Sequence, residues 1–119
     1  MQNFRDLKMW NKAHAVTLAV YGATEKFPAS ERYGLRAQMR RAAASVPANI
    51  AEGSVRSTDA DFARFLQVAL GSASELEYFA LLSRDLKLLA QADHESMLAD
   101  IQEVKRMLTA FIARLRADS

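Results

Sequence analysis

The strongest constraint on the fold of this chain is that apolar side chains recur every three or four residues in four long segments. That spacing places them on one face of an α-helix, and no segment shows the sustained alternation typical of a half-buried strand. Only four glycines and two prolines interrupt the 119 residues, and half of the residues are hydrophobic. The pattern therefore predicts an all-α protein.

The first two predicted helices have recognisable ends. The first spans about Leu7–Lys26 and stops before Pro28, because a residue that precedes proline disfavours the α conformation. Ser30 is a candidate N-cap for the second helix, about Arg32–Glu52. Gly53 is expected to end that helix, since glycine accepts the left-handed conformation common just past a helix end.

The third and fourth predicted helices begin at capping residues. Thr58 with Asp61 forms a capping box for the third helix, which continues to about Leu89. Asp93 is a candidate cap for the fourth. The apolar stripes of the four segments are, in chain order, Leu7, Trp10, His14, Thr17 or Leu18, and Tyr21; Leu35, Met39, Ala42, Val46 and Ile50; Phe62, Leu66, Ala69, Ala73, Leu76, Ala80 and Leu86; Met97, Ile101, Val104, Leu108, Phe111 and Leu115.

Short connections between long amphipathic helices favour one arrangement of these segments. They predict an antiparallel up-down-up-down four-helix bundle that forms a single domain over residues 1–119. Pro47 lies inside the second helix, where it removes one backbone hydrogen bond and crowds the carbonyl of Ala43. A kink at Pro47 is therefore expected.

Polar residues surround this proline in residues 40–53, RRAAASVPANIAEG. We expect Arg41, Asn49 and Glu52 to satisfy backbone groups freed by the kink, or to pair with Glu75 of the third helix. Either arrangement would be a structural polar cluster that locks the two helices, because a buried arginine is tolerated only when it is paired. The alternative is that these residues form a functional surface.

Charge is unevenly distributed along the chain. Residues 1–56 hold nine basic and four acidic side chains, and residues 57–104 hold three basic and nine acidic ones. Two basic stripes at helical spacing could follow phosphates, or could be ordinary solvated faces with intrahelical pairs. The candidate nucleic-acid-binding residues are Arg5, Lys8 and Lys12 on the first helix and Arg32, Arg36 and Arg40 on the second.

Catalysis finds little support in the sequence. Its two histidines, His14 and His94, complete no metal-binding motif; we expect His14 to pack on the apolar stripe and His94 to be solvated or to cap a helix. No glycine-rich phosphate loop occurs. We therefore predict no enzyme, no catalytic residue, no metal, no cofactor and no small-molecule substrate. The absence of cysteine, of a signal-peptide pattern and of a membrane-spanning run predicts a cytoplasmic protein with no membrane partner.

Three stretches resemble successive signatures of one protein family. They are FRDLKMWNKA, FPASERYGLRAQMRRAAASVPANIAEG and ALGSASELEY. Together they are similar to the four-helix-bundle family named for intervening sequences of bacterial 23S ribosomal RNA. Ala73 and Tyr78 depart from its usual pattern of a larger aliphatic and a small polar residue.

The resemblance also carries expectations about assembly. Some members are encoded within excised segments of ribosomal RNA, and others stand alone. A related branch is the accessory variability protein of diversity-generating retroelements, a ring-shaped basic assembly thought to engage nucleic acid and a reverse transcriptase. The resemblance therefore implies a homo-oligomeric ring, apparently a pentamer.

Two functional hypotheses follow. The first is a non-enzymatic oligomeric scaffold that binds RNA or DNA weakly and without sequence specificity. The alternative is a module that docks an acidic protein partner and has no role with nucleic acid. The basic first half and acidic middle of the chain could meet head to tail between subunits. Candidates for the buried centre of that contact are Met9, Val20, Tyr78, Leu81 and Leu82.

Overall fold

Four α-helices make up most of the computed structural model, which describes residues 2–31 and 33–118. They are α1 (Lys8–Thr24), α2 (Leu35–Ser54), α3 (Asp59–Asp85) and α4 (Gln91–Asp118), with short 3-10 helices at Phe4–Asp6 and Ala29–Glu31. These described ranges contain no strand. The predicted all-α fold is confirmed.

The helices form an up-down-up-down four-helix bundle with extents of 46 × 23 × 20 Å. Both α1 and α3 pack against α2 and α4, whereas the described residues of α1 and α3 make no contact with each other. Those two helices are therefore diagonal in the bundle. No helix in the described ranges is both long enough and apolar enough to cross a membrane.

The predicted apolar stripes are largely correct for three helices and partly wrong for the first. All the stripe residues named for the second helix are buried in α2, and in the fourth only Phe111 remains half-buried. The third stripe is buried as far as Ala80, but Leu86 is exposed. In the first stripe Thr17 is buried and Leu7 and Trp10 pack against the core, whereas His14, Leu18 and Tyr21 face solvent. The residues that α1 buries are Met9, Ala13, Val16, Thr17, Val20 and Thr24.

Several predicted helix ends are corrected by the structure. Gly34, not Ser30, is the N-cap of α2, and the Glu31 carboxylate accepts a hydrogen bond from the Leu35 amide at 3.2 Å. Gly53 lies within α2 and does not adopt the left-handed conformation. Its small size serves packing instead, because a Cβ there would lie 2.9 Å from atoms of Phe62 and Phe65.

The two later helices begin in different ways. Thr58 caps α3 as predicted, its hydroxyl accepting from the Asp61 amide at 3.1 Å. However, α3 ends at Asp85 rather than Leu89, because Lys87 takes a left-handed conformation, with φ 64°. The turn then folds back and buries Leu89. Since α4 already begins at Gln91, Asp93 lies in its first turn and is not the cap.

Candidate functional site

The polar cluster expected around Pro47 does not form. Arg41, Glu52 and Glu75 are exposed, and their side chains make no hydrogen bond or ion pair with any described residue. Asn49 donates only to Ser45 of its own helix, to the carbonyl oxygen at 2.8 Å and to Oγ at 3.0 Å. The prediction is wrong because Pro47 faces the core, whereas Arg41 and Glu52 lie on the outer face of α2.

The backbone group that Pro47 leaves without a donor is satisfied by a different residue. Proline has no N–H, so the carbonyl of Ala43, four residues earlier, lacks its helical partner. Thr17 of α1 lies within hydrogen-bond distance of that carbonyl, at 3.1 Å, and of its own helix's Ala13 carbonyl, at 2.9 Å. Its hydroxyl supplies the missing donor from a neighbouring helix. Sequence reasoning missed Thr17 because it lies 26 residues from Ala43.

The helices α2 and α3 approach each other closely through small side chains. The hydroxyls of Ser45 and Ser72 lie 2.8 Å apart, joining the small residues of α2 to the GSAS stretch of α3. Met39 and Ser83 repeat the contact further along, with the serine donating to the sulfur at 3.2 Å. Small side chains let these two helices pack closely. No polar lock between charged residues is needed.

Two of the candidate nucleic-acid-binding arginines are committed to the fold. Arg36 and Arg40 both donate to the same carboxylate oxygen of Glu25, at 3.2 and 3.0 Å. Arg40 also donates to the Thr24 hydroxyl at 2.9 Å, and its guanidinium lies 4.5 Å from the centre of the Tyr21 ring. The hydrogen bond from Arg40 and the charge of Arg36 lower the pKa of Glu25. These contacts tie the end of α1 to the start of α2.

The other candidates are divided between paired and unpaired charges. Lys12 forms an ion pair with Asp100 at 2.9 Å, and Arg32 lies outside the described residues. Arg5 and Lys8 are exposed and form no ion pair with a described residue. Arg114 of α4, which the sequence did not single out, lines the same groove as Lys8. These three cations, which form no ion pair with a described residue, share the end of the bundle where α1 begins and α4 finishes, and Asp6 lines the same groove.

Exposed apolar side chains lie on the outer faces of the diagonal helices α1 and α3 and at the end of α3, and we name each group as the patch of its helix. The α1 patch consists of Leu18 and Tyr21, which are 60% and 44% exposed. The α3 patch consists of Tyr78, Leu81 and Leu86, which are 56%, 37% and 54% exposed. A sequence signal for the α1 patch exists, since residues 13–24 of this outward-facing helix contain no Asp, Glu, Lys or Arg.

The contact residues predicted from the sequence are partly wrong. Met9 and Val20 are 3% and 0% exposed, because both pack in the core of their own bundle. They cannot meet a second molecule unless the bundle opens. Tyr78 and Leu81 are exposed as that prediction requires, and Leu82 is half-buried beside them.

The two patches lie at the same end of the bundle. Arg40 bonds Thr24 of α1, while its neighbour Met39 accepts from Ser83 of α3. These contacts place the final turns of α1 and α3 level with the first turns of α2. Because α1 and α3 are diagonal, the patches face away from each other at similar heights.

Neither histidine lies where it was expected. His14 is exposed and its ring stacks on Trp10, with centroids 5.0 Å apart. His94 is buried in the first turn of α4, and its Nδ1 has no hydrogen-bond partner among the described residues. The described ranges contain no group of three or more residues that could hold a metal ion.

Comparisons with known proteins agree with this architecture. A crystal structure of a protein of unknown function from the S23 ribosomal protein family of Bacteroides thetaiotaomicron superposes with a TM-score of 0.82. The two sequences are 24% identical, and the match covers 87% of this chain and 97% of that chain. At this identity the likeness supports the fold alone. No curated protein sequence matches the chain. The family model of the 23S rRNA-intervening sequence protein matches residues 5–110, so the chain belongs to that family.

Proposed function

We propose that the protein is a non-enzymatic cytoplasmic scaffold that assembles head to tail into a homo-oligomer. One observation carries this proposal: two exposed apolar patches face opposite ways at similar heights on the diagonal helices α1 and α3. Contiguous exposed apolar surface on a small domain marks an interaction site. A patch on one side that meets a different patch on the next subunit is a heterologous contact, which closes into a ring when the rotation permits.

The level placement of the patches is compatible with a closed ring, because a ring needs successive subunits to lie at the same height. If the α1 patch of one subunit covers the α3 patch of the next, successive subunits lie side by side without a large axial step. The family resemblance implies five subunits. Tyrosine and leucine provide the contact, and burying the exposed part of such side chains is favourable by about 25 cal/mol per Å² of apolar area.

Light scattering coupled to gel filtration tests this assembly. We expect a mass that is a multiple of the 13.3 kDa chain at micromolar concentration. Leu81→Lys and Leu18→Lys should each shift the protein towards the monomer, because either change places an unpaired charge in the contact. Val68→Lys is the matched control, since Val68 is also exposed on α3 but lies outside the patch. A wild-type mass of one chain would refute the proposal.

We further propose that the scaffold binds RNA or DNA weakly through the phosphate backbone. The observation that favours this function is a group of cations at one end of the bundle, Arg5, Lys8 and Arg114, which form no ion pair with a described residue. Arg36 and Arg40, neutralised in part by Glu25, contribute less than the sequence suggested. A ring would multiply a weak contact, because linked sites gain effective concentration.

A mobility-shift titration over a range of salt concentrations tests this binding. Affinity should fall steeply with salt, with a logarithmic slope of about −0.9 for each neutralised phosphate of a duplex. Lys8→Ala should weaken binding to all sequences alike and make that slope shallower. Lack of binding at low salt would leave the alternative function, docking of an acidic protein partner.

A further inference from the structure

A row of aromatic side chains in contact runs along the start of α1. The Phe4 and Trp10 rings are tilted, with centroids 4.8 Å apart and 58° between their planes. The Trp10 and His14 rings are stacked, with centroids 5.0 Å apart and 11° between their planes. The guanidinium of Arg5 lies 4.8 Å from the centre of the Phe4 ring. We call these residues, Phe4, Arg5, Trp10 and His14, the stacked ladder. Arg5 is its one formally charged member.

Hydrogen bonds hold the ladder in place before any ligand arrives. The side chain of Asn3 accepts from the Arg5 amide at 3.1 Å. Asn11 donates from its side chain to the carbonyls of Arg5 and Leu7, both at 3.0 Å. The backbone around Phe4 is thereby fixed against α1. A pre-organised site loses little conformational entropy on binding.

The ladder reaches the surface at His14, while Trp10 packs against the hydrophobic core. His14 is exposed, and no described residue hydrogen-bonds its ring. Trp10 and Phe4 are half-buried. The ladder also ends one helical turn before Leu18, so the α1 patch does not include it.

Nucleobases are the ligands that continue such a stack. An aromatic side chain beside a cation stacks with the flat face of a base, and Arg5, which lies over the Phe4 ring, supplies a charge for a phosphate. In a duplex these faces are covered by neighbouring base pairs. Single strands leave them free.

We propose that the stacked ladder binds an unpaired base of single-stranded nucleic acid, with the base stacking on the exposed ring of His14. This inference rests on the nucleic-acid binding proposed above and adds a preference for single strands. It locates that preference in one side chain.

Fluorescence anisotropy of labelled oligouridylate, oligothymidylate and a duplex of equal length, at low salt, measures this preference. The single strands should bind more tightly than the duplex. Because Trp10 is the only tryptophan in the chain, its emission should change with the single strands. His14→Leu should weaken single-strand binding by roughly 5- to 150-fold, the range for base–aromatic stacking. His14→Phe should retain it, because that variant keeps a ring.

The outcomes separate this inference from the function on which it rests. Equal affinity for single strands and duplex, unchanged by His14→Leu, would overturn the stacking site and leave backbone binding in place. Failure of the wild-type protein to bind any of the three probes at low salt would overturn both. His14 is exposed, so neither variant should unfold the bundle; thermal melting of each variant checks this.

Discussion

Thr17 supplies a hydrogen bond that the proline-containing helix cannot make for itself. Its hydroxyl lies 3.1 Å from the carbonyl that Pro47 leaves without a donor, and it is buried. We expect Thr17→Val to lower the free energy of unfolding by about 1–3 kcal/mol, the cost of an unsatisfied buried polar group. Chemical denaturation measures the change.

Combining Thr17→Val with Pro47→Ala tests whether Thr17 acts on the Ala43 carbonyl. Pro47→Ala restores an N–H that can reach the Ala43 carbonyl, so the cost of Thr17→Val should shrink in the double variant. A coupling of roughly 1 kcal/mol is typical for groups that share one network. Equal costs in the two backgrounds would show that Thr17 does not serve this carbonyl.

Glu25 makes the stability of the bundle depend on pH. Arg40 and Arg36 lower its pKa from an ordinary value of 4.5, so the folded protein holds the charged carboxylate more readily than the unfolded chain does. The resulting stability is fully present above pH 4.5 and is lost as the pH falls through the lowered pKa. In Glu25→Gln the free energy of unfolding should therefore fall less as the pH is lowered below 4.5. An equal fall in the variant and the wild-type protein would contradict this.

The residue scale is where sequence reasoning was least effective. Thr58 was recognised as a cap because its partner lies three residues away. The partner of the Ala43 carbonyl lies on another helix, and the exposure of Arg41 depends on which face of α2 turns outward. Non-local contacts of this kind follow from packing, which single-sequence patterns do not encode.

At the scale of the elements, two glycines, one near the end of α2 and one in the middle of α3, test how closely these helices pack. Gly53→Ala would place a Cβ 2.9 Å from Phe62 and Phe65, so we expect a loss of about 1–3 kcal/mol, as for an overpacked core. Gly71→Ala meets nothing within 4 Å and should stabilise α3 by up to ~1 kcal/mol. Thermal or chemical unfolding of both variants compares them. A stabilising Gly53→Ala would mean that the helices do not approach closely there.

The helices themselves were largely predictable. Stripes such as Met39, Val46 and Ile50 in α2 follow one uninterrupted period, and burial confirmed them. In α1 two apolar stripes compete, because Leu18 and Tyr21 are as hydrophobic as the residues that the helix buries. Periodicity locates apolar faces without distinguishing a face that packs in the core from one that meets another molecule. That ambiguity explains why Leu18 and Tyr21 were assigned to the core, although both are exposed and form the α1 patch.

At the scale of the whole molecule, the proposed assembly would strengthen the proposed binding. Each chain carries the stacked ladder and the cations Arg5, Lys8 and Arg114 at the same end of its bundle. A ring would place several copies of both around one rim. Weak single contacts would then act together on one strand, as linked sites do.

The central claim is that the α1 patch of one subunit touches the α3 patch of the next, and thiol cross-linking tests it most directly. The chain contains no cysteine, so Leu18→Cys and Leu81→Cys can be prepared as separate proteins and mixed with a short bis-maleimide. The mixture should give a cross-linked dimer of one protein with the other, faster than either protein alone. A control mixture of Val55→Cys with Leu81→Cys should react slowly, because exposed Val55 lies outside both patches. Cross-linking of Leu18→Cys to Leu81→Cys no faster than in that control would contradict the account.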